Sequence, residues 1–512
     1  MGLSGRMSYR RTIDRQWWVI GIILVAAVLR FYGLTKQPLW YDELVGIHIA
    51  TYRGGLPAIW NTTVSRFYPH PPPFMILLRL WFKGWQWAPS EFSARLPSVW
   101  ASLLAFPIFY RYLSEIASER LALIALVLLA VSPSHIFYAQ EARPYAWMFT
   151  LTVLTVWVLH RALKAKHALW WVAHALCLLV LLPLHYFSWC VLGGEILYMF
   201  LSWRRHRRAW LPFALSLVIP VSLAAMFVIN LWNASQRVGH ILVLDSLPFS
   251  ISFPPTWMAM VVGDGRYAPQ WIRVAGGIGF GLLVLLGLGR FVRRRWEPAM
   301  VLSLLVVPFA FVFGLLKIAG HTVPPYEDRQ FLVALPFILA LAAGGIEHLA
   351  EIGRARQAQI VGRGLAVTLV ALLLAGNLAV LTRYYRTFDK NLDVRVIEYL
   401  YAQVQPGDVL VCNSYSMAEN LAFHWDSPVP VEILSRPRKI EGQWRFTQEL
   451  HTAPEFPIRW AWDLSKIFSR RRVWLITQAG FSSPEVTTQM LNLATPVHQE
   501  QFGPFSVYLL VP

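Results

Sequence analysis

The chain has 512 residues, of which 56% are hydrophobic and only 14% charged, with a mean hydropathy of +0.46 and a net charge of +18. Soluble domains carry about 25% charged residues, so the composition excludes a wholly water-soluble protein. The basic excess falls in short loops between apolar blocks, as membrane topology requires, and so argues against a nucleic-acid-binding surface.

Apolar blocks occur at 17–34, 73–87, 93–113, 120–138, 145–163, 168–185, 187–203, 209–232, 271–292, 298–317, 329–350 and 362–383. Most have the length a helix needs to cross about 30 Å of hydrocarbon. The first block follows a basic N-terminus (Arg6, Arg10, Arg11, Arg15) and has no small-residue cleavage site, so it reads as a retained helix. The basic clusters Arg204–Arg208, Arg290–Arg295 and Arg354–Arg363, with a weaker one at Arg161–Lys166, belong on the cytoplasmic side. They fall there together with the N-terminus only if one of the twelve blocks does not cross. The block at 73–87 is the candidate, because it is short, carries Arg79 and Lys83, and starts after three prolines. It is therefore expected to lie at the interface or re-enter the membrane.

The expectation is a mainly α integral membrane protein with eleven spans plus interfacial helices. Residues 1–383 would form the membrane domain, with 35–92 as a long first outside loop. Residues 384–512 would form an extracytoplasmic soluble α/β domain. In that tail, 394–404 reads as an amphipathic helix and Gln405–Asp408 as a turn. Strands are expected at 409–412, 429–434, 473–477 and 505–511, and a helix at 484–493. The three cysteines, Cys177, Cys190 and Cys412, show neither pairing pattern nor metal spacing and read as small buried hydrophobes.

Polar groups at the outer ends of the spans are where function is expected. The first outside loop holds Trp40-Tyr41-Asp42-Glu43, two carboxylates opening a helix. Asp42 can take a proton from an acceptor or bind a divalent cation; alternatively Asp42 is an N-cap and Glu43 a first-turn acid. His70, within Tyr68-Pro69-His70-Pro71-Pro72-Pro73, can contact a phosphate or sit solvated at the interface. Glu141 and Arg143 share a tight turn, as a salt bridge or as a metal or base carboxylate beside a phosphate clamp. His185 and Tyr186 close another outside turn, and Arg329 opens a late helix.

The pattern resembles bacterial glycosyltransferase family 39, membrane enzymes of the GT-C fold that include protein mannosyltransferases and the lipid A aminoarabinose transferase. The resemblance rests on Trp40-x-Asp42-Glu43, His70-Pro71-Pro72, Glu91-Phe-Ser-Ala-Arg95-Leu96-Pro97, Gln140-Glu141-Ala142-Arg143-Pro144-Tyr145, His185-Tyr186 and Arg329. It covers about 17–385 and, more weakly, the tail. It implies transfer of a sugar from a polyprenyl-phosphate carrier to a lipid, glycan or protein acceptor, with inversion, at the outer face of a bacterial inner membrane. Asp42, with Glu43 beside it, takes the catalytic position. Asp42 and Glu141 are the acids a divalent cation (Mg or Mn) would use. His70, Arg143, His185, Tyr186 and Arg329 fall near the carrier phosphate. Two positions depart from the pattern: Gln330 stands where many relatives have Tyr, and His70 where some have Lys.

No Gly-rich phosphate loop is present, so no nucleotide cofactor is expected. A lipid-linked glycan polymerase or ligase fits the same features. A transporter or flippase would want mid-membrane charges or internal repeats, whereas Glu195 and His174 read as isolated polar residues within spans. A membrane-anchored binding protein would place its activity in the tail alone.

Overall fold

A computed structural model of the chain describes residues 3–511 except 52–53, 66–70, 166, 239–248, 294–297, 316–327, 352–355, 388–392, 426–431, 441–442, 449–459, 464–466, 469–471 and 481. The helices begin with α1 (Leu3–Phe31), α2 (Tyr41–Thr51), α3 (Gly55–Ser65), α4 (Pro73–Trp85), α5 (Glu91–Ile116), α6 (Glu119–Ala130) and α7 (Pro133–Ala139). They continue with α8 (Tyr145–Ala165), α9 (Ala168–Leu181), α10 (Trp189–Leu201), α11 (Trp203–His206), α12 (Trp210–Val238), α13 (Phe249–Val261) and α14 (Gln270–Arg293). The rest are α15 (Pro298–Ala310), α16 (Leu335–Glu351), α17 (Arg356–Arg386), α18 (Asp393–Gln403), α19 (Tyr415–His424) and α20 (Pro484–Leu493). The chain divides into two compact units, one of residues 1–34, 63–74 and 92–387, the other of 35–62, 75–91 and 388–512.

The first unit is built from apolar helices whose outward faces carry large hydrophobic side chains such as Trp17, Leu24, Val28, Trp100, Leu176, Leu215, Ile219, Leu282 and Val367. Water would not tolerate so many, whereas lipid does. Five described helices are long and apolar enough to cross a membrane: 91–116, 145–165, 203–229, 270–291 and 359–386. Shorter apolar helices lie at 16–31, 168–181, 186–201 and 300–313. This is a multi-pass membrane protein. The 73–87 block forms α4, whose 13 residues are too few to cross.

The block at 120–138 departs from expectation. It is not one straight span but α6 and α7, bent by 62° at the break between them. Ser132 is extended, and Pro133 has no N–H to continue the ladder.

Small residues set a close helix contact. A Cβ on Gly287 of α14 would lie 1.8 Å from the Leu341 carbonyl oxygen of α16, and one on Gly345 would lie 2.1 Å from that of Leu283. Glycine at both sites lets the two backbones touch, the usual device where lipid supplies no hydrophobic drive. At the ends of these helices Arg290 bridges Glu347 at 2.9 Å and Glu351 at 2.6 Å.

His174 and Glu195 are not isolated. Both are fully buried, and His174 Nε2 meets Glu195 Oε2 at 3.1 Å while Nδ1 meets the Ser216 hydroxyl at 2.9 Å. The three residues belong to α9, α10 and α12, so they act as interhelical polar contacts. Periodicity cannot reveal this, because the partners are 21 and 42 residues away.

The second unit holds a seven-stranded sheet: β1 (Val409–Cys412), β2 (Glu432–Ile440), β3 (Gln443–Gln448), β4 (Trp460–Asp463), β5 (Val473–Gln478), β6 (Thr495–Phe502) and β7 (Phe505–Val511). Its order is β4-β3-β2-β1-β5-β7-β6, with β1 parallel to both neighbours and the outer pairs antiparallel. Alternate residues of β1 enter opposite cores: Leu410 and Cys412 pack with α18 and α19, and Val409 and Val411 with α20. That double burial explains why β1 reads as an unbroken apolar run. The same unit includes α2, which packs on α19, with the His48 and Phe423 rings 6.3 Å apart.

Candidate functional site

Within the first unit, the expected phosphate and acid residues converge at helix ends and turns. After α7 the chain makes a short turn, in which the Arg143 N–H donates to the Glu141 carbonyl at 2.8 Å. The turn is pinned from α5, where the Ser98 hydroxyl donates to the Arg143 carbonyl at 3.1 Å. Gln140, just before Glu141, donates to the Arg30 and Tyr32 carbonyls, each at 2.9 Å, and accepts from the Tyr384 hydroxyl at 2.9 Å. Glu141 and Arg143 are each only 1% exposed. A buried arginine and carboxylate persist only when neighbouring groups compensate for lost water. The Arg143 guanidinium lies over the Tyr145 ring at 5.9 Å.

His185 belongs to the same cluster. Its ring is 5.5 Å from that of Tyr145, and its Nδ1 accepts the Phe187 N–H at 3.2 Å, capping the single turn Tyr186–Ser188. That contact leaves the proton on Nε2. Burial, with the charges of Arg143 and Arg329, pushes His185 down to about 3. It is thus a neutral imidazole that presents an N–H donor at physiological pH. Tyr186 is half-buried, with its ring 6.5 Å from His185.

Arg329 lies on a single turn, Asp328–Phe331, held by its first residue. Asp328 accepts the Tyr138 hydroxyl at 2.5 Å and the Ser134 hydroxyl at 2.6 Å, both from α7. The Asp328 carboxyl is raised above the usual range, by burial and by the charge of Asp264, while the two hydroxyls and Arg329 oppose the rise. Next to it, the loop after α13 carries Asp264, which accepts the Arg266 guanidinium at 2.8 and 3.0 Å. Burial would raise Asp264, but these hydrogen bonds and the Arg266 charge outweigh it and hold it low. Burial opposes the charge on Arg266, but the hydrogen bond and charge of Asp264, with smaller contributions from Tyr267 and Glu141, hold its guanidinium above the usual range.

The structure therefore brings together Glu141, Arg143, His185 and Arg329. It adds Tyr138, Asp264, Arg266 and Asp328, which the sequence reading did not single out. A signal for Asp264 and Arg266 existed in the Gly-Asp-Gly-Arg turn at 263–266. Tyr138 and Asp328 are 190 residues apart, and no local pattern pairs them.

Asp42 and Glu43 lie in the second unit, at the start of α2. Glu43 is fully buried, and its carboxylate accepts the Trp40 N–H at 3.3 Å, the reach-back half of a capping box. Asp42 is half-buried one position earlier. His70 lies outside the described residues. Among the described residues no three His, Cys, Asp or Glu side chains are grouped as a metal site.

Apolar helices with a broken pair, a cationic cluster at helix ends and a C-terminal α/β domain make up an ArnT-like GT-C fold. The family model for dolichyl-phosphate-mannose-protein mannosyltransferases matches residues 69–232. The chain is similar in fold to ArnT from Cupriavidus metallidurans in the apo state, at 13% identity, TM-score 0.61, and coverage of 96% of this chain and 98% of that one. The same enzyme bound to undecaprenyl phosphate matches at 12% identity and TM-score 0.58, with the same coverage. The archaeal oligosaccharyltransferase AglB from Archaeoglobus fulgidus, in complex with an inhibitory peptide and a dolichol-phosphate, matches at 10% identity and TM-score 0.51, covering 91% of this chain and 70% of that one. Comparison with curated protein sequences gives no match. The resemblance read from the motifs thus holds in sequence over 69–232 and in fold over nearly the whole chain.

Proposed function

We propose that the protein is a membrane glycosyltransferase that moves a sugar from a polyprenyl-phosphate donor to a lipid, glycan or protein acceptor. The reaction takes place at the outer face of a bacterial inner membrane, with the N-terminus cytoplasmic and the C-terminal domain outside. The observation that carries this reading is the cationic cluster at the helix ends, in which the buried Arg143 and the half-buried Arg329 both act by their charge on a neutral, buried His185. The solved relatives bound to undecaprenyl phosphate and dolichol-phosphate support the ligand class.

The chemistry follows from charge. The bond between the anomeric carbon and the phosphate oxygen breaks as the acceptor oxygen attacks from the opposite face. Negative charge grows on the departing phosphate, where fixed guanidinium groups and an imidazole N–H stabilise it most. Asp42 takes the acceptor proton; a divalent cation held near it would supply Lewis-acid chemistry. Glu43 supports the start of α2, and Tyr186 and His70 belong with the phosphate contacts. The acids offered to a divalent cation are Glu141 in the first unit and Asp42 in the second.

The test is release of polyprenyl phosphate from a panel of polyprenyl-phosphate sugars by purified protein in nanodiscs. Asp42→Asn, Glu141→Gln and Arg143→Met are expected to lose at least about 100-fold in turnover while remaining folded. Chelation that abolishes release would add the cation. Release unaffected by all three substitutions would remove these residues from the chemistry.

A further inference from the structure

Arg30 ends the first apolar helix, where a basic residue normally reaches for the interface. Here it does the opposite. It is fully buried within the first unit, and none of its hydrogen-bond partners is an acid.

Its five N–H groups match five acceptors. Nε donates to the Ser102 hydroxyl at 2.6 Å. Nη1 donates to the carbonyls of Ala26 and Ala130, each at 3.1 Å, and Nη2 to the Leu129 carbonyl at 3.2 Å and to His135 Nδ1 at 2.8 Å. A guanidinium only donates, so His135 accepts through Nδ1 and is neutral. Leu129 and Ala130 end α6, and His135 lies in α7. A helix broken at Pro133 leaves carbonyls of its last turn without their usual partners and concentrates partial negative charge there. One guanidinium satisfies that end and grips the next helix.

The link continues towards the site. The Arg30 carbonyl accepts from Gln140, the residue before Glu141. The helix that Arg30 grips also supplies Ser134 and Tyr138, which hold Asp328 next to Arg329.

We propose that Arg30 is a positioning residue: it clasps the two halves of the broken span and so sets the placement of the Glu141–Arg143 turn and of Arg329. This rests on the function proposed above. Lysine cannot substitute, since three donors cannot serve five acceptors.

The experiment compares wild type, Arg30→Lys and Gln140→Leu in nanodiscs. Gln140→Leu cuts the same link without disturbing the buried charge. Amide exchange is measured over 131–145, with 150–160 and 335–349 as internal references. Donor KM and kcat are measured per folded molecule. The expected result is exchange at least about tenfold faster at 136–143, unchanged references, and a donor KM raised about tenfold in both variants. Unchanged exchange and kinetics in both variants overturn the proposal, as does acceleration spread equally over the references, because that marks general destabilisation. If wild type releases no carrier phosphate from any donor, the glycosyltransferase reading fails, and the exchange data alone decide whether Arg30 is the clasp.

Discussion

Tyr138→Phe isolates a single bond in the site. It removes one oxygen while keeping the ring, which packs edge-on against Tyr145 at 5.1 Å. The lost bond is the 2.5 Å donation to Asp328. Hydrogen bonds to charged groups contribute about 1.5–3 kcal/mol, a factor of roughly 10–150. The Ser134 bond should matter less, because its one proton is shared between Asp328 at 2.6 Å and the Ala259 carbonyl at 2.9 Å. Tyr138→Phe should therefore raise donor KM by about tenfold or more, and Ser134→Ala by less. The pH dependence has a definite sign. Burial already favours the protonated Asp328, and the two hydroxyls oppose this. Losing the Tyr138 donor lets protonation begin at higher pH, so the acid limb of kcat/KM moves up and the defect is larger on the acid side. The assay is carrier-phosphate release in nanodiscs across the acid to mildly alkaline range, per folded molecule. An unchanged acid limb in folded Tyr138→Phe, or a larger effect from Ser134→Ala, would refute the reasoning.

His185 is neutral in the folded protein down to about pH 3, against about 6.5 when unfolded. Its contribution to stability is thus complete above about pH 6.5 and declines as pH falls toward 3, so His185→Gln should show a flatter loss of thermal stability over that window. Gly287→Ala would place a methyl 1.8 Å from a backbone carbonyl, forcing α14 and α16 apart. The expected result is a loss of several kcal/mol or no folded protein, read by detergent-resistant unfolding, while Gly289→Ala, whose Cβ meets nothing within 4 Å, should be silent. In the C-terminal domain, Asp408→Ala would remove the acceptor 2.9 Å from the buried Trp474 indole N–H. That should cost about 1–3 kcal/mol and speed amide exchange in β1 and β5.

Much of the tail could be read from its sequence because its elements end at polar punctuation. The expected strands at 409–412 and 505–511 and the helix at 484–493 match β1, β7 and α20. Strands β3, β4 and β6 were not anticipated, and the polar sequence of β6 hides its strand, which is exposed along both faces. In the membrane unit, hydropathy marks apolar length but not continuity, so the break at Ser132-Pro133 was absorbed into one block. Arg143, His185 and Arg329 were legible together because the basic loops place their turns on one side. Arg30 was not, because a cation at the end of an apolar block reads as a snorkelling residue. Only its five neutral acceptors, three of them contributed by segments about 100 residues away, show that it faces inward.

These features share one physical cause. A continuous helix in lipid consumes its own backbone polar groups and leaves nothing to bind a ligand. Each group assigned to the cluster in the first unit lies where that self-sufficiency is interrupted. Ser134 and Tyr138 follow the break at Pro133, Glu141 and Arg143 lie in the next turn, His185 caps a single turn before α10, and Asp328–Arg329 form a single turn before α16. Interrupted backbone is costly in a bilayer unless protein groups satisfy it. Arg30, Gln140 and Ser98 do so here. It follows that substitutions in this supporting set should lower turnover more than stability, whereas substitutions in the glycine contact of α14 and α16 should do the reverse. Measuring both quantities on Ser98→Ala and Gly345→Ala separates the two. Equal loss of stability in both variants would mean that the site and the scaffold are one cooperative structure, and not a scaffold with a locally supported site.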